Sequence, residues 1–174
     1  LDPSKSYFLQ TDIDKFARYR NSMDDALKRG NLSPAFDIFN RYQERVVSRI
    51  EKILTLLSAE ATTFDFTKDE VLMVNRDDLP WARSEEELDE LWRKRTKNAY
   101  LNLKLTDKES EKIQALLHKR FSNRLTRSLQ TNSEDVYQIY MNAFTKSYDP
   151  HTSYFSPRTS ENFNINMSLS LEGI

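Results

Sequence analysis

The chain has 174 residues, with 26 lysines and arginines against 27 aspartates and glutamates for a net charge of −1. That length supports one domain with a substantial core, and so balanced a charge exerts no overall pull toward nucleic acid or an anionic membrane. Cysteine is absent and glycine occurs only as Gly30 and Gly173. These counts exclude disulfide frameworks and thiolate metal sites, and also phosphate loops, dinucleotide fingerprints and nucleophile elbows, which all need clustered glycines.

The chain opens Leu1-Asp2-Pro3-Ser4-Lys5, without an initiator Met or a basic-then-apolar leader. No apolar run approaches the roughly 18 residues of a membrane span. The expectation is a chain soluble as it stands, any leader having been removed.

Residues 1–10 read as extended and aromatic. Thr11 with Asp14 then predicts a capped helix carrying Ile13, Phe16, Ala17, Arg20, Met23 and Leu27, ended by Gly30 in the left-handed conformation. Ser33-Pro34 restarts the chain as N-cap and first helical residue. Phe36, Phe39, Gln43, Val46, Ile50, Ile53 and Leu57 follow on a 3-4 repeat with one polar interruption, a helix of about 40 Å whose stripe is read as bundle core rather than dimer seam.

From Ala61 to Arg83 the periodicity lapses. Phe64, Phe66, Leu72, Val74 and Trp81 suggest a segment lying on the core without a regular helix, with a turn over Asn75–Pro80. A short strand pair or a further helical turn is open there. Ser84-Glu85-Glu86-Glu87 is a capping box for a helix with Leu88, Leu91 and Trp92. Thr106-Asp107-Lys108-Glu109 is a second box, for a helix with Ile113, Leu116, Leu117, Phe121, Leu125 and Leu129. A last helix from Asn132-Ser133 should bury Val136, Ile139, Tyr140, Ala143 and Phe144. That makes five helices by Ser147 and an all-α domain over residues 1–147.

After it the character changes. Asp149-Pro150-His151-Thr152-Ser153-Tyr154-Phe155-Ser156-Pro157 is extended, aromatic and punctuated by proline, and Met167-Ser168-Leu169-Ser170-Leu171-Glu172-Gly173-Ile174 alternates with the period of a strand. Residues 148–174 are therefore expected to be a linker, a short helix and the first strand of a second domain that is cut short. The Asp149 stretch echoes Asp2-Pro3-Ser4-Lys5-Ser6-Tyr7-Phe8, and shared turn chemistry accounts for the match better than duplication.

Asp149, His151 and Ser153 invite a triad reading, but neighbours on an extended segment do not form the hydrogen-bonded chain a triad requires, and turn chemistry is the stronger reading. His118 and His151 are isolated, which argues against a metal site, and no cofactor is expected. Residues 65–91 are mostly acidic among their charged positions. The stretch 93–127 carries Arg93, Lys94, Arg95, Lys97, Lys104, Lys108, Lys112, Lys119, Arg120, Arg124 and Arg127. A solvated face matched to the helix dipoles and paired with the acidic segment explains this best. A protein partner comes next, and nucleic acid last because no aromatic platform is interleaved.

Three runs in this order and spacing, Gln130–Val136, Asp149–Pro157 and Met167–Ile174, closely resemble the region just before the PDZ domain of the tail-specific proteases, the C-terminal processing peptidases of bacteria. Leu1-Asp2-Pro3, Leu79-Pro80-Trp81 and Leu103-Lys104-Leu105-Thr106 are similar to the helical N-terminal region of the same family, so the resemblance spans essentially the whole chain. It implies a periplasmic serine endopeptidase, including one associated with the membrane from the periplasmic side, that recognises apolar C-terminal tails and cleaves with a Ser-Lys dyad beyond residue 174. Partners would be protein or peptide substrates bound through the missing domains, and an adaptor protein.

By the same resemblance Gly173 and Ile174 are half of the loop that takes the substrate carboxylate, while Asp149, Pro150, His151, Thr152 and Tyr154 form a domain-junction motif. No catalytic, cofactor or metal residue is assigned within the chain. The expected role is a non-catalytic helical scaffold, and the alternative is a free-standing helical interaction module with a basic binding face.

Overall fold

A computed structural model describes residues 1–58, 64–106 and 109–171. In chain order the helices are α1 (Gln10–Phe16), α2 (Met23–Lys28), α3 (Ser33–Ser58), α4 (Glu85–Lys104), α5 (Ser110–Leu129), α6 (Ser133–Tyr148) and α7 (Pro157–Leu171), with a 3-10 turn at Ala17–Tyr19 between the first two. Among the described residues there is no strand, only an isolated parallel bridge between Leu9 and Ala82. The domain is all-α.

α3 is the spine. Val46, Ile50, Ile53 and Leu57 on its stripe are buried with Trp92 and Tyr100 of α4, Ile113 and Leu117 of α5, and Tyr7 of the entry segment. The one polar member of the stripe, Gln43, is consistent with this burial because its Nε2 donates to the Ser128 carbonyl at 3.0 Å. That bond adds to the Thr131 amide, which donates to the same carbonyl at 3.4 Å just past the end of α5. Phe64 and Phe66 pack on Tyr100 at 5.5 and 6.0 Å between ring centroids, so this part of the aperiodic segment covers the core without a helix. Val74, expected on the core, is 81% exposed, and residues 61–63 lie outside the described set.

Local signals set most ends. Gly30 has φ +68°, and Asn31 N donates to Ala26 O while Gly30 N donates to Leu27 O, a Schellman pair that closes α2. Ser84 Oγ accepts from Glu87 N at 3.4 Å, and the Glu87 carboxylate turns back to the Arg83 amide at 2.8 Å. Asn132 caps α6 and forms a reciprocal pair with Asp135.

Four expectations need correction. The single helix from Thr11 is two helices, and its N3 carboxylate is Asp12, bonded to Leu9 N at 3.0 Å, rather than Asp14. The break seats Phe16 on Phe8, 5.3 Å between centroids, and still lets the Tyr140 hydroxyl of α6 donate to the Met23 carbonyl at 3.1 Å. α5 starts after Glu109, and Thr106 Oγ1 bonds back to Leu103 O at 2.7 Å, extending the end of α4; Asp107 and Lys108 of the expected box lie outside the described residues.

α6 buries Val136 and Tyr140, whereas Ile139 is 40% exposed. Finally, the strand expected from Met167 is the last part of α7 as far as Leu171. Without neighbouring strands an extended segment leaves its amides and carbonyls unpaired, and a helix pairs them within itself. The alternation shows in α7 as two exposed apolar pairs, Phe163 with Met167 and Ile165 with Leu169, each four residues apart and on roughly opposite sides of the helix.

Candidate functional site

Residues 149–152, expected from the resemblance to lie at a domain junction, form an ordered turn. Asp149 ends α6, its amide donating to Thr145 O at 2.9 Å. Its carboxylate accepts from His151 N at 2.9 Å and Thr152 Oγ1 at 2.7 Å, and its carbonyl accepts from Thr152 N at 3.1 Å. The His151 amide, followed by the Thr152 hydroxyl, holds the Asp149 carboxyl below its ordinary value. This side chain is committed to its own turn, and the triad geometry of Asp149, His151 and Ser153 does not form. Pro150 occupies the second turn position, where its ring sets φ in advance.

Asp2 makes the same backbone turn, its carbonyl accepting from Lys5 N at 3.1 Å. Its surroundings differ, however, because its buried carboxylate collects the amides of Ser6, Tyr7 and Phe8. The echo between the two stretches is thus one of turn chemistry.

Beyond the turn, the chain runs back along α6 and is zipped to it. Asn142 Oδ1 accepts from Tyr154 N at 2.8 Å and its Nδ2 donates to Tyr154 O at 3.1 Å, so one amide side chain pairs with both main-chain groups of Tyr154. Thr145 Oγ1 donates to Thr152 O at 3.4 Å. Gln138 Oε1 accepts from Ser156 N and from Thr159 Oγ1, each at 3.0 Å.

Tyr154 also stands edge-on to Tyr137 at 5.5 Å. Ser156 is buried, and its Oγ accepts from Thr159 N at 3.3 Å at the start of α7. Gln138, Asn142 and Thr145 were not singled out from the sequence. Their spacing of four and three puts them on one face of α6, away from Val136 and Tyr140, and that polar face was the available signal.

Two further features lie elsewhere on the bundle. An apolar groove of about 530 Å³ is lined by Phe8, Phe16, Phe39, Trp81, Ile139 and Tyr140 among others. An ion ladder ties α3 to α1 and α4. Asp12, 1% exposed, accepts from Arg41 Nε at 2.7 Å and Arg45 Nε at 2.8 Å. Arg45 also pairs with Glu85, and Arg49 with both Glu85 and Asp89. Burial alone would raise the Asp12 carboxyl, but the bonds from Arg45, the Leu9 amide and Arg41 outweigh it and hold the group ionised below its ordinary range.

The acidic segment meets the basic one as expected: Glu70 pairs with Arg93 and Lys97, which draw its carboxyl down to about 2. Lys94 pairs with Glu90. His118 Nδ1 lies 3.4 Å from Ser122 Oγ. Among the described residues, no group of three or more His, Cys, Asp or Glu is placed to hold a metal, and no helix is long and apolar enough to cross a membrane. Gly173 and Ile174 lie outside the described residues.

With the geometry in view, the family model described as the tail specific protease N-terminal domain matches residues 1–158. A tail-specific protease of Haemophilus influenzae is 41% identical over 175 residues, an alignment covering 100% of this chain and 25% of that protein. The chain thus spans about a quarter of the length of this relative.

Proposed function

Since the chain belongs to the tail-specific protease N-terminal domain family, we propose that it is the non-catalytic scaffold of a serine protease that processes proteins from apolar C-terminal tails in the periplasm. The zipper of Gln138, Asn142 and Thr145 carries this reading. It fixes the path on which the chain leaves the helical bundle, and so the direction in which any following domain is presented. The Ser-Lys dyad and the PDZ domain would lie beyond residue 174, with Gly173 and Ile174 opening the amide loop that receives the substrate carboxylate. In such a dyad, burial keeps the lysine neutral so that it can take the serine proton. An adaptor protein fits the same scheme as a further partner of the helical bundle.

The alternative, a free-standing module using a basic face, is weakened on α4. There Glu70 and Glu90 already neutralise Arg93, Lys94 and Lys97.

The test uses the full-length protease with Gln138→Ala and Asn142→Ala combined. Cleavage of a folded substrate with an apolar tail should fall by about tenfold as the exit path loosens, a 1 Å-scale misplacement being enough for such a loss, while cleavage of a short unstructured peptide falls less. Unchanged rates on both would overturn the scaffold role. The 174-residue chain alone should cleave neither, and cleavage by it would refute the placement of the dyad.

A further inference from the structure

Between the 76–83 loop and α4 lies an open cleft of about 410 Å³, lined by Arg76, Leu79, Pro80, Trp81, Arg83 and Leu91 among others. Arg95 follows Leu91 by one helical turn along α4 and sits 5.2 Å over the Trp92 ring. Arg124 of α5 reaches the same indole at 5.8 Å and covers the Tyr7 ring at 5.5 Å. Loop, α4 and α5 therefore each bring a guanidinium to one corner of the bundle. The burial of Arg95, with repulsion from Arg76 and Arg124 only partly offset by Tyr7 and Asp2, lowers its proton affinity, so Arg95 feels both of the other guanidinium groups.

Among the described residues none of the three has a carboxylate partner, in contrast to the α3–α4 ladder, where Arg45 and Arg49 both do. Arg76 Nε is held only by the Ser4 carbonyl at 3.2 Å. The neighbouring acids, Asp2 and the cleft-lining Glu87, form no ion pair with the three, although the Asp2 charge reaches Arg95. The Asp2 carboxylate is taken up by the Ser6, Tyr7 and Phe8 amides, and that of Glu87 by the Arg83 amide. Lys5 Nζ, a further cation nearby, bonds to the Leu79 and Asp77 carbonyls. The Tyr7 hydroxyl, buried beneath Arg124, has no hydrogen-bond partner among the described residues.

We propose that this corner binds an acidic peptide segment, a carboxylate side chain going to Arg76 and Arg95 and a flanking apolar residue going onto Leu79, Trp81 and Leu91. A forked guanidinium matches a carboxylate edge to edge. The apolar lining beside the cations suits a peptide with alternating character, whereas a nucleic-acid backbone needs cations spread along a path, not gathered at one corner.

The chain contains two tryptophans; Trp81 lines the cleft and Trp92 lies under the cations, so intrinsic fluorescence reports on the site directly. The 174-residue chain at low ionic strength is titrated with a capped hexapeptide of alternating glutamate and leucine, and in parallel with its glutamine counterpart. A saturable change is expected with the glutamate peptide alone, weakened by salt and weakened about tenfold by Arg95→Gln or Arg76→Gln. Arg95→Lys, which keeps the charge but loses the fork, should bind between wild type and Arg95→Gln.

Lys119→Gln, on the opposite face of α5 from Ile113 and Leu117, should leave binding unchanged. Circular dichroism checks that each variant is folded, and Arg76→Gln, in a loop, carries the test if Arg95→Gln is not. The proposal is overturned by the absence of a saturable signal, by equal binding of the glutamine peptide, by arginine variants that bind like wild type, by an equal loss in Lys119→Gln, or by an oligothymidylate that binds more tightly than the peptide.

Discussion

Replacing Asp12 by Ala removes the acceptor for three donors at once. Its carboxylate is 1% exposed and receives the Leu9 amide at 3.0 Å, Arg41 Nε at 2.7 Å and Arg45 Nε at 2.8 Å. Deleting one partner of a buried ion pair costs about 3–5 kcal/mol when the other is stranded. Here the loss is moderated, because Arg45 keeps Glu85 and Arg41 keeps Glu44, while the Leu9 amide at the start of α1 is orphaned at about 1–3 kcal/mol. The expected total is about 3 kcal/mol, a fall in Tm of roughly 6–12 °C for a domain of this size. Urea unfolding at neutral pH followed by circular dichroism measures it.

The pH dependence gives an independent reading. The folded carboxyl of Asp12 is held below its value in the unfolded chain. Its contribution is therefore complete above the ordinary carboxylate range near pH 4 and is lost as pH falls through the lower folded value. The wild type should lose stability across that acidic window, and the variant should lose less. A cost under about 0.5 kcal/mol, the size of an ordinary surface substitution, together with an unchanged acid profile, would refute the assignment of Asp12 as the anchor of α1.

Three further outcomes are expected. Asn142→Ala should cost about 1–2 kcal/mol from its two lost bonds to Tyr154 and the partly buried amide left behind, and hydrogen exchange at the Tyr154 amide should quicken while that in α3 does not. Gly30→Ala should cost about 1 kcal/mol in urea unfolding; a Cβ there meets nothing within 4 Å, so the cost comes from the left-handed backbone, and a larger loss would mean that the site is crowded. In a carboxylate NMR titration Glu70 should have its midpoint near 2 and move toward 4.5 when Arg93→Gln removes its first partner.

What could be read without coordinates depended on range. The caps at Ser84 and Asn132, the stop at Gly30 and the stripe of α3 involve residues within a few positions of each other, so the chain writes them locally. The pairing of acidic and basic segments was readable as composition, though not the choice of Glu70 for Arg93 and Lys97. Asp12 was invisible as an anchor because its partners lie on α3, 29 and 33 residues away. Arg41, Arg45, Arg49 and Lys52 at spacings of four, four and three were the trace of it.

The Asp149–Tyr154 stretch was singled out by resemblance, but what holds it in place was not. Asp149 could be recognised as a turn former, whereas the role of Asn142 needed the chain to double back and lay Tyr154 against it. Period alone also misled at Met167–Leu171. Alternation states which side chains share a face if the segment is extended, and a strand persists only when another strand takes up its backbone bonds. The sequence by itself determined an all-α domain, the helix ends at Gly30, Ser84 and Asn132 and most of its central core, because side-chain spacing and capping act within a turn or two. Only the tertiary structure decided where the first helix breaks, which carboxylates the arginines meet and whether the final segment is strand or helix, because each of those depends on what a distant part of the chain presents to it.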